Sequence, residues 1–354
     1  MFSPLKLALA CAGLGLALFA GSGQAADFVD VLDLPAQPSE LAGKSPLTGV
    51  ARAGERLVVV GQRGHILYSD DQGRTWTQAR VPVSSDLTAV TFPTARQGWA
   101  VGHDGVVLHS DDGGASWTRQ LDGRQIGQLM LDHFQAQPAE ADVAALDNAQ
   151  RMLREGADKP FLDVWFKDAQ QGFVVGAFNL ILRTEDGGRH WTPWSQRVDN
   201  PQALHLTAIA AVGEELFIAG EQGLLLKLDV ARQRFVALQS PYAGTFFGLL
   251  GKPGLILAYG LRGHVVRSLD GGAHWSEVNS GLSSSITAGS FGEQGRLLLF
   301  SQAGQALLSD DAGASFQALP LTARTPIAGA LAEHDQLLLV GSRGLRLQAL
   351  PPTR

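Results

Sequence analysis

Apolar residues run through this chain in short strand-length stretches cut by turn residues, and the stretches repeat as a unit. The typical unit opens with an apolar-Thr-small-apolar segment. It continues through an apolar strand ending in Val-Gly, a tight x-x-Gly turn, a third strand, an Asp-rich turn and a fourth strand. The first unit runs from Leu47-Thr48-Gly49-Val50 through Val60-Gly61-Gln62-Arg63-Gly64 to Trp76; the second runs from Leu87-Thr88-Ala89-Val90 through Val101-Gly102-His103-Asp104-Gly105 to Trp117. Further units open at Phe161, Leu206, Phe246, Ile286 and Ile327. A four-strand unit repeated at about 40 residues is the pattern of a propeller blade. The chain therefore predicts an all-β, seven-bladed β-propeller. The third residue of the opening strand is small in six units (Gly49, Ala89, Ala208, Gly248, Ala288, Gly329), as crowding around a central axis requires; Asp163 is the exception.

The Asp-rich turns share the pattern Ser/Thr-x-Asp-x-Gly-x-x-Trp/Phe, the Asp box of bacterial neuraminidase repeats. They carry Asp71, Gly73 and Trp76; Asp112, Gly114 and Trp117; Asp186, Gly188 and Trp191; Asp270, Gly272 and Trp275; and Asp311, Gly313 and Phe316. A carboxylate so placed accepts N–H groups of its own turn. The Gly takes a positive φ without a steric penalty, and the aromatic packs between sheets. The boxes begin at 69, 110, 184, 268 and 309. One interval of two periods hides a degenerate copy, Leu228 to Phe235. Another holds one period plus an insertion.

That insertion covers about residues 121–160. Ile126 to Phe134 and Ala139 to Leu153 read as helices broken at Pro138, the second with an apolar face of Val143, Leu146, Ala149, Met152 and Leu153. It is either a lid packed on its own propeller or a docking element for a partner. After the second strand, Gly64, Gly105, Gly223, Gly263, Gly304 and Gly344 occupy one equivalent position, with Asn179 in the seventh copy. Asn is the next residue to tolerate a left-handed backbone. Blade seven lacks an Asp box and a fourth strand. Residues 26–35, with the alternating Phe28 to Leu34, are expected to supply the strand that closes it.

Composition narrows the class. Charged residues are few at 18% and Gly is abundant at 42 of 354 residues, which favours a β-rich fold. Residues 1–25 read as a Sec-type signal peptide: Lys6, an apolar run from Leu7 to Ala20, and a small-residue cleavage site at Gly23-Gln24-Ala25. Ala8-Leu9-Ala10-Cys11 faintly resembles a lipoprotein box. Cys11 is the sole cysteine, so the mature domain, residues 26–354, has no thiol chemistry. The net charge of −6 argues against nucleic acid. A soluble, monomeric, periplasmic protein is expected.

A sialidase-like site wants an arginine triad, a nucleophilic Tyr with a Glu, and an acid Asp. Tyr68, Tyr242 and Tyr259 have no such setting, and no catalytic residue is assigned; Asp163, facing the channel, is the first candidate for a carbohydrate-active reading. A glycan lectin in the channel is a further alternative. No metal or cofactor is assigned, the histidines showing no ligand spacing, although Asp70-Asp71 and Asp111-Asp112 have the chemistry for calcium. His65 and His264 read as packed strand residues. The residues before the turn glycines are more informative: Arg63, Arg262 and Arg343. These turns and the insertion belong to one face, and Arg63 and Arg343 sit in neighbouring blades. Arginine suits bidentate contacts to carboxylate or phosphate; the alternative is that these are ordinary solvated turn residues.

The Sec signal, the seven blades and the motif Val-Gly-x-x-Gly-x-apolar-apolar-x-Ser/Thr-x-Asp-Gly-Gly-x-x-Trp resemble, over about residues 40–350, the photosystem II stability and assembly factors. These are propellers of cyanobacteria and the chloroplast lumen, with relatives in bacterial envelopes. The resemblance implies a non-catalytic scaffold that binds a membrane-protein client, with Arg63, Arg262 and Arg343 as its candidate patch, in the periplasm or a thylakoid lumen. An accessory role in another envelope complex, such as an exporter, is the variant of the same class; an Asp-box glycosidase is the alternative from another class.

Overall fold

A computed structural model of the chain describes residues 29–350, apart from Ala141 and His334; the expected signal peptide and Phe28 lie outside the described residues. Seven antiparallel sheets, each built of consecutive strands, surround one axis. Their inner strands are Leu47–Ala53, Leu87–Thr91, Phe161–Phe166, Leu206–Val212, Phe246–Lys252, Ile286–Phe291 and Ile327–Glu333, which begin where the repeat places the blades. Each inner strand packs beside the next, and the seventh packs beside the first, so the ring is closed. Blades one to six have four strands and blade seven has three.

The second strand of each blade is the most buried. Val58, Val59 and Val60 in blade one and Leu337 to Val340 in blade seven are closed off from solvent on both faces. That explains why these strands read as continuous apolar runs rather than as alternations. Threonine at the second position of the inner strand ties blade to blade. Thr48 Oγ1 donates to Leu87 O (2.7 Å), Thr88 Oγ1 to Phe161 O (2.8 Å) and Thr207 Oγ1 to Phe246 O (2.7 Å). The repeat displayed this threonine without showing that it reaches the next blade.

Residues 29–35 do not close blade seven. Asp30 turns the chain locally: Leu32 N donates to Asp30 Oδ1 (2.9 Å) and Asp33 N to Asp30 O (2.9 Å). Such an Asx turn competes with a strand, and Pro35 removes a ladder donor. Leu32 is buried in the core shared by blades one and two. Ala36 N bonds Val81 O and Ser84 N bonds Val31 O, which fixes the segment there. It is a strap over the ring, and blade seven remains three-stranded among the described residues.

The insertion forms helices α1 (Gly123–Ala136) and α2 (Val143–Glu155). Asp122 begins α1 with a capping box: Arg124 N donates to its carboxylate, and its own N–H donates to Gln125 Oε1. Asp142 caps α2 by accepting from Ala145 N (2.7 Å), so that helix starts at Val143 rather than Ala139. Ile126, Met130 and Phe134 of α1 and Ala145, Ala149 and Met152 of α2 join the core of blades two and three. The buried stripe of α2 is thus narrower than its apolar pattern: Val143 is 77% exposed and Leu153 is also exposed.

Candidate binding face

The Asp boxes are self-satisfied. In the second box Ser110 Oγ donates to Asp112 Oδ1 (2.9 Å) and Gly114 N donates to Ser110 Oγ (2.8 Å). Ser116 donates to Asp112 through its N–H (2.9 Å) and its hydroxyl (2.6 Å), and Trp117 Nε1 donates to Gly114 O (3.0 Å). Gly114 has φ +88°, and a Cβ there would meet the Val58 side chain of the preceding blade at 3.2 Å. The glycine therefore serves close approach as well as turn geometry. Bonds from the Thr75 hydroxyl, the Thr75 N–H and the Ser69 hydroxyl hold Asp71 down at about 2. The His274 N–H, the His274 ring and Ser268 do the same for Asp270, to about 2. In the third box His190 serves Asp186 likewise, and its value is lowered to about 2 against the opposing effect of desolvation. Asp311 is held low by Ser315 and Ser309. These carboxylates are engaged by their own turns.

The channel at the axis is a cavity of about 360 Å³ lined by inner-strand residues, among them Thr48, Thr88, Asp163, Thr207, Phe247 and Tyr259. Asp163 accepts from Val164 N (2.8 Å) and, across the blade boundary, from Ile209 N of blade four (2.8 Å). Desolvation raises it to about 6 despite those two bonds. Its side chain borders the small channel and is partly buried, and the loss of surrounding water outweighs the two bonds in setting its titration. The position that breaks the small-residue rule is thus occupied by a clasp between blades three and four. Tyr259 is also buried, and its hydroxyl is raised above the ordinary range.

The opposite face from the boxes carries the turns, the connectors and the insertion. The six turn glycines and Asn179 all have positive φ, as the pattern required. The residue before them adds something the sequence did not show. Arg63 (φ 57°), Asp104, Phe178, Gln222 and Arg262 (φ 56°) are also left-handed, the two-residue geometry of a type I′ turn. Connector side chains hold it in place: Arg63 N donates to Asp86 Oδ1 (2.8 Å) and Arg262 N to Ser285 Oγ (3.3 Å). Arg343 has no positive φ and sits in a tighter two-residue turn between Gly341 and Gly344. Arg63, Arg262 and Arg343 are all exposed on this face. No ion pair, hydrogen bond or ring contact joins them to one another among the described residues. His65 is buried at the end of its turn, just before the strand Ile66–Ser69, and His264 stacks on Tyr242 with centroids 4.1 Å apart.

A feature missed in the sequence lies beside α2. A cleft of about 710 Å³ opens between that helix and the connector leaving blade three, lined by Asn148, Arg151, Phe178, Gln196, Asn200 and Arg234 among others. Phe178 stands at its edge, 53% exposed, with its ring against His205 (4.5 Å) and Lys159 Nζ 5.7 Å from the ring centre. The available signal was an aromatic, Phe178, at a turn position where most other copies carry a polar residue.

A closed ring of blades, self-satisfied boxes and a helix-bearing connector face define an Asp-box β-propeller with a surface cleft. Solved propellers share the architecture. One described as "YCF48 bound to D1 peptide" superposes with a TM-score of 0.63 at 16% identity, covering 88% of this chain and 95% of that one. "YCF48 from Cyanidioschyzon merolae" gives 0.65 at 15% identity, over 89% and 98%. The chain belongs to the family described as Photosynthesis system II assembly factor YCF48, whose model matches residues 49–136 and 143–244. A curated relative, "Photosystem II assembly lipoprotein Ycf48" of Synechococcus sp. (strain CC9902), is 35% identical over 118 residues. That alignment takes in 32% of this chain and 35% of the relative, so the chain spans about a third of the relative it matches.

Proposed function

We propose that this protein is a non-catalytic assembly scaffold that holds a polypeptide segment of a membrane-protein client on its connector face. The observation that carries the reading is the cleft between α2 and the blade-three connector, edged by the exposed ring of Phe178. An aromatic anchor beside a polar-rimmed cleft is the usual anatomy of a peptide site. Family membership supports an assembly role, and a propeller of the same fold is described with a bound D1 peptide. Arg63, Arg262 and Arg343 lie on the same face and supply positive charge for an acidic client surface. Export to the periplasm or a lumen goes with the signal-like residues 1–25 and with the lipoprotein name of the curated relatives. Intact mass of the secreted form distinguishes cleavage after Ala25 from acylation at Cys11.

The test is affinity capture from detergent-solubilised membranes by the full mature chain. Deleting 121–160 would uncover Trp99, Phe161 and their neighbours, so surface substitutions serve better. Phe178→Asn keeps a residue that tolerates the left-handed turn and removes the ring; Arg63→Glu with Arg343→Glu reverses the charge. Wild type is expected to retain a specific membrane protein and both variants to lose most of it. Equal retention by wild type and both variants places the client elsewhere. A chain that retains no membrane protein overturns the scaffold reading.

A further inference from the structure

Among the described residues, blade seven ends in an open strand. Six blades have a fourth strand outside the third; in blade seven the third strand, Gly344–Ala349, is outermost among the described residues. Its pairing with the second strand, Gln336–Gly341, sets which groups face outward. The two-residue turn makes Gly341 and Gly344 a hydrogen-bonded pair, and Leu350 N donates to Asp335 O (2.6 Å) at the other end. Bonded and non-bonded pairs alternate in an antiparallel ladder. Leu345, Leu347 and Ala349 therefore fall in the non-bonded pairs, and their N–H and C=O groups point to the open side. Long unpaired edges are usually blunted by charged side chains, proline or a bulge; Gly344–Ala349 has no proline and no bulge, and its one charged residue is Arg346. Leu347 is 37% exposed.

The side chains along this strand sort by face. Leu345 and Leu347 turn toward blade one, where Leu345 lies beside Gly43 and Leu347 beside Gly73 of the first Asp box. Arg346 turns the other way, into a cavity of about 190 Å³ that also holds Ala323, Thr325 and Arg343. Its Nη1 donates to Thr325 Oγ1 (3.2 Å), while Nη2 is shut from solvent with no partner. No carboxylate approaches it among the described residues; burial alone lowers its pKa. Even partial desolvation of a guanidinium group without an anion carries a cost. An unpaired cation beside an unpaired edge defines what fits.

We infer that blade seven is completed in trans by an extended client segment that adds as its fourth strand and places a carboxylate on Arg346 and Arg343. Main-chain bonds to Leu345, Leu347 and Ala349 supply the affinity common to strand addition. Side chains opposite one another on a pair of strands sit about 5 Å apart. The segment therefore carries an acidic residue opposite Arg346, flanked by apolar residues opposite Leu345 and Leu347: an apolar-acidic-apolar pattern. The inference rests on the scaffold reading and adds to the cleft beside α2 a second contact with the client, at the edge of blade seven.

The experiment uses the full mature chain and fluorescein-labelled Ser-Thr-Val-Glu-Val-Thr-Ser, with Lys for Glu and N-methylated valines as control peptides, read by anisotropy. Ala349→Pro removes one outward donor at a solvent-facing position, where an edge strand tolerates proline; Arg346→Gln removes the cation. The Glu peptide is expected to bind, the Lys and N-methyl peptides at least tenfold more weakly. Ala349→Pro and Arg346→Gln are each expected to weaken the Glu peptide at least tenfold, with thermal unfolding of both variants confirming the fold. Amide exchange at Leu345, Leu347 and Ala349 should be fast in the free chain and slow with peptide. No binding to wild type, undiminished binding to Ala349→Pro, or edge amides already protected by the chain's own terminal residues overturns the inference. Membrane capture separates the two levels: a client kept by Ala349→Pro but lost by Phe178→Asn upholds the scaffold and sinks the strand addition.

Discussion

At the residue scale the Asp box concentrates several interactions in eight positions. Asp112 receives three donors from its own turn, the Ser110 hydroxyl and the Ser116 N–H and hydroxyl. Asp112→Ala leaves those donors to water or unpaired, so a loss of about 1–3 kcal/mol is expected in urea unfolding; Ser116→Ala, which removes one bond, should cost about 1 kcal/mol. The box carboxylates have folded values below the ordinary 3.8. Their contribution is fully present above that ordinary value and is lost as pH falls through about 2. The motif was fully legible because its bonds are local in sequence. The left-handed Arg63, Phe178 and Arg262 were not, since any residue type can be held there once a connector side chain such as Asp86 fixes the turn.

At the scale of elements, caps and clasps decided what periodicity left open. The helices of the insertion follow from their apolar spacing, but their starts follow from Asp122 and Asp142. Asp122→Ala removes both the capping box and an ion pair with Arg124 (2.9 Å). It should lower stability by about 1–2 kcal/mol and speed amide exchange over the first turn of α1, which native-state exchange measures. The N-terminal alternation is the opposite lesson. Phe28 to Leu34 carries a strand pattern, yet Asp30 and Pro35 favour a turn and a strap, and the tie of Asp33 to Arg124 (2.7 Å) and Arg119 holds it over blades one and two.

For the whole molecule, closure of the ring depends on contacts between blades that are far apart in sequence. Thr48, Thr88 and Thr207 clasp successive blades, Asp163 clasps blade three to blade four, and Arg52 pairs with Glu333 where blade seven meets blade one. Asp163 gives this architecture a pH dependence. Its folded value, about 6, lies above the ordinary 3.8. Its stabilising contribution is therefore complete below about pH 4 and is lost as pH rises through about 6. Measured against Asp163→Asn, wild type should be relatively more stable at pH 4 than at pH 7, by at most about 3 kcal/mol. A flat difference across that range would mean that the carboxylate titrates as an exposed one.

The sequence by itself determined the fold class, the number of blades, the place of every inner strand, the turn glycines and the helical nature of the insertion. Each of these rests on a period or on bonds that close within one turn or hairpin. Only the tertiary structure decided which residues meet across blade boundaries: the threonine clasps, the inward Asp163, the cleft beside Phe178 and the open edge of blade seven with its unpaired Arg346. Those depend on how seven similar sheets close around an axis. Closure brings together residues from different blades, and no period in the chain records which of them will touch.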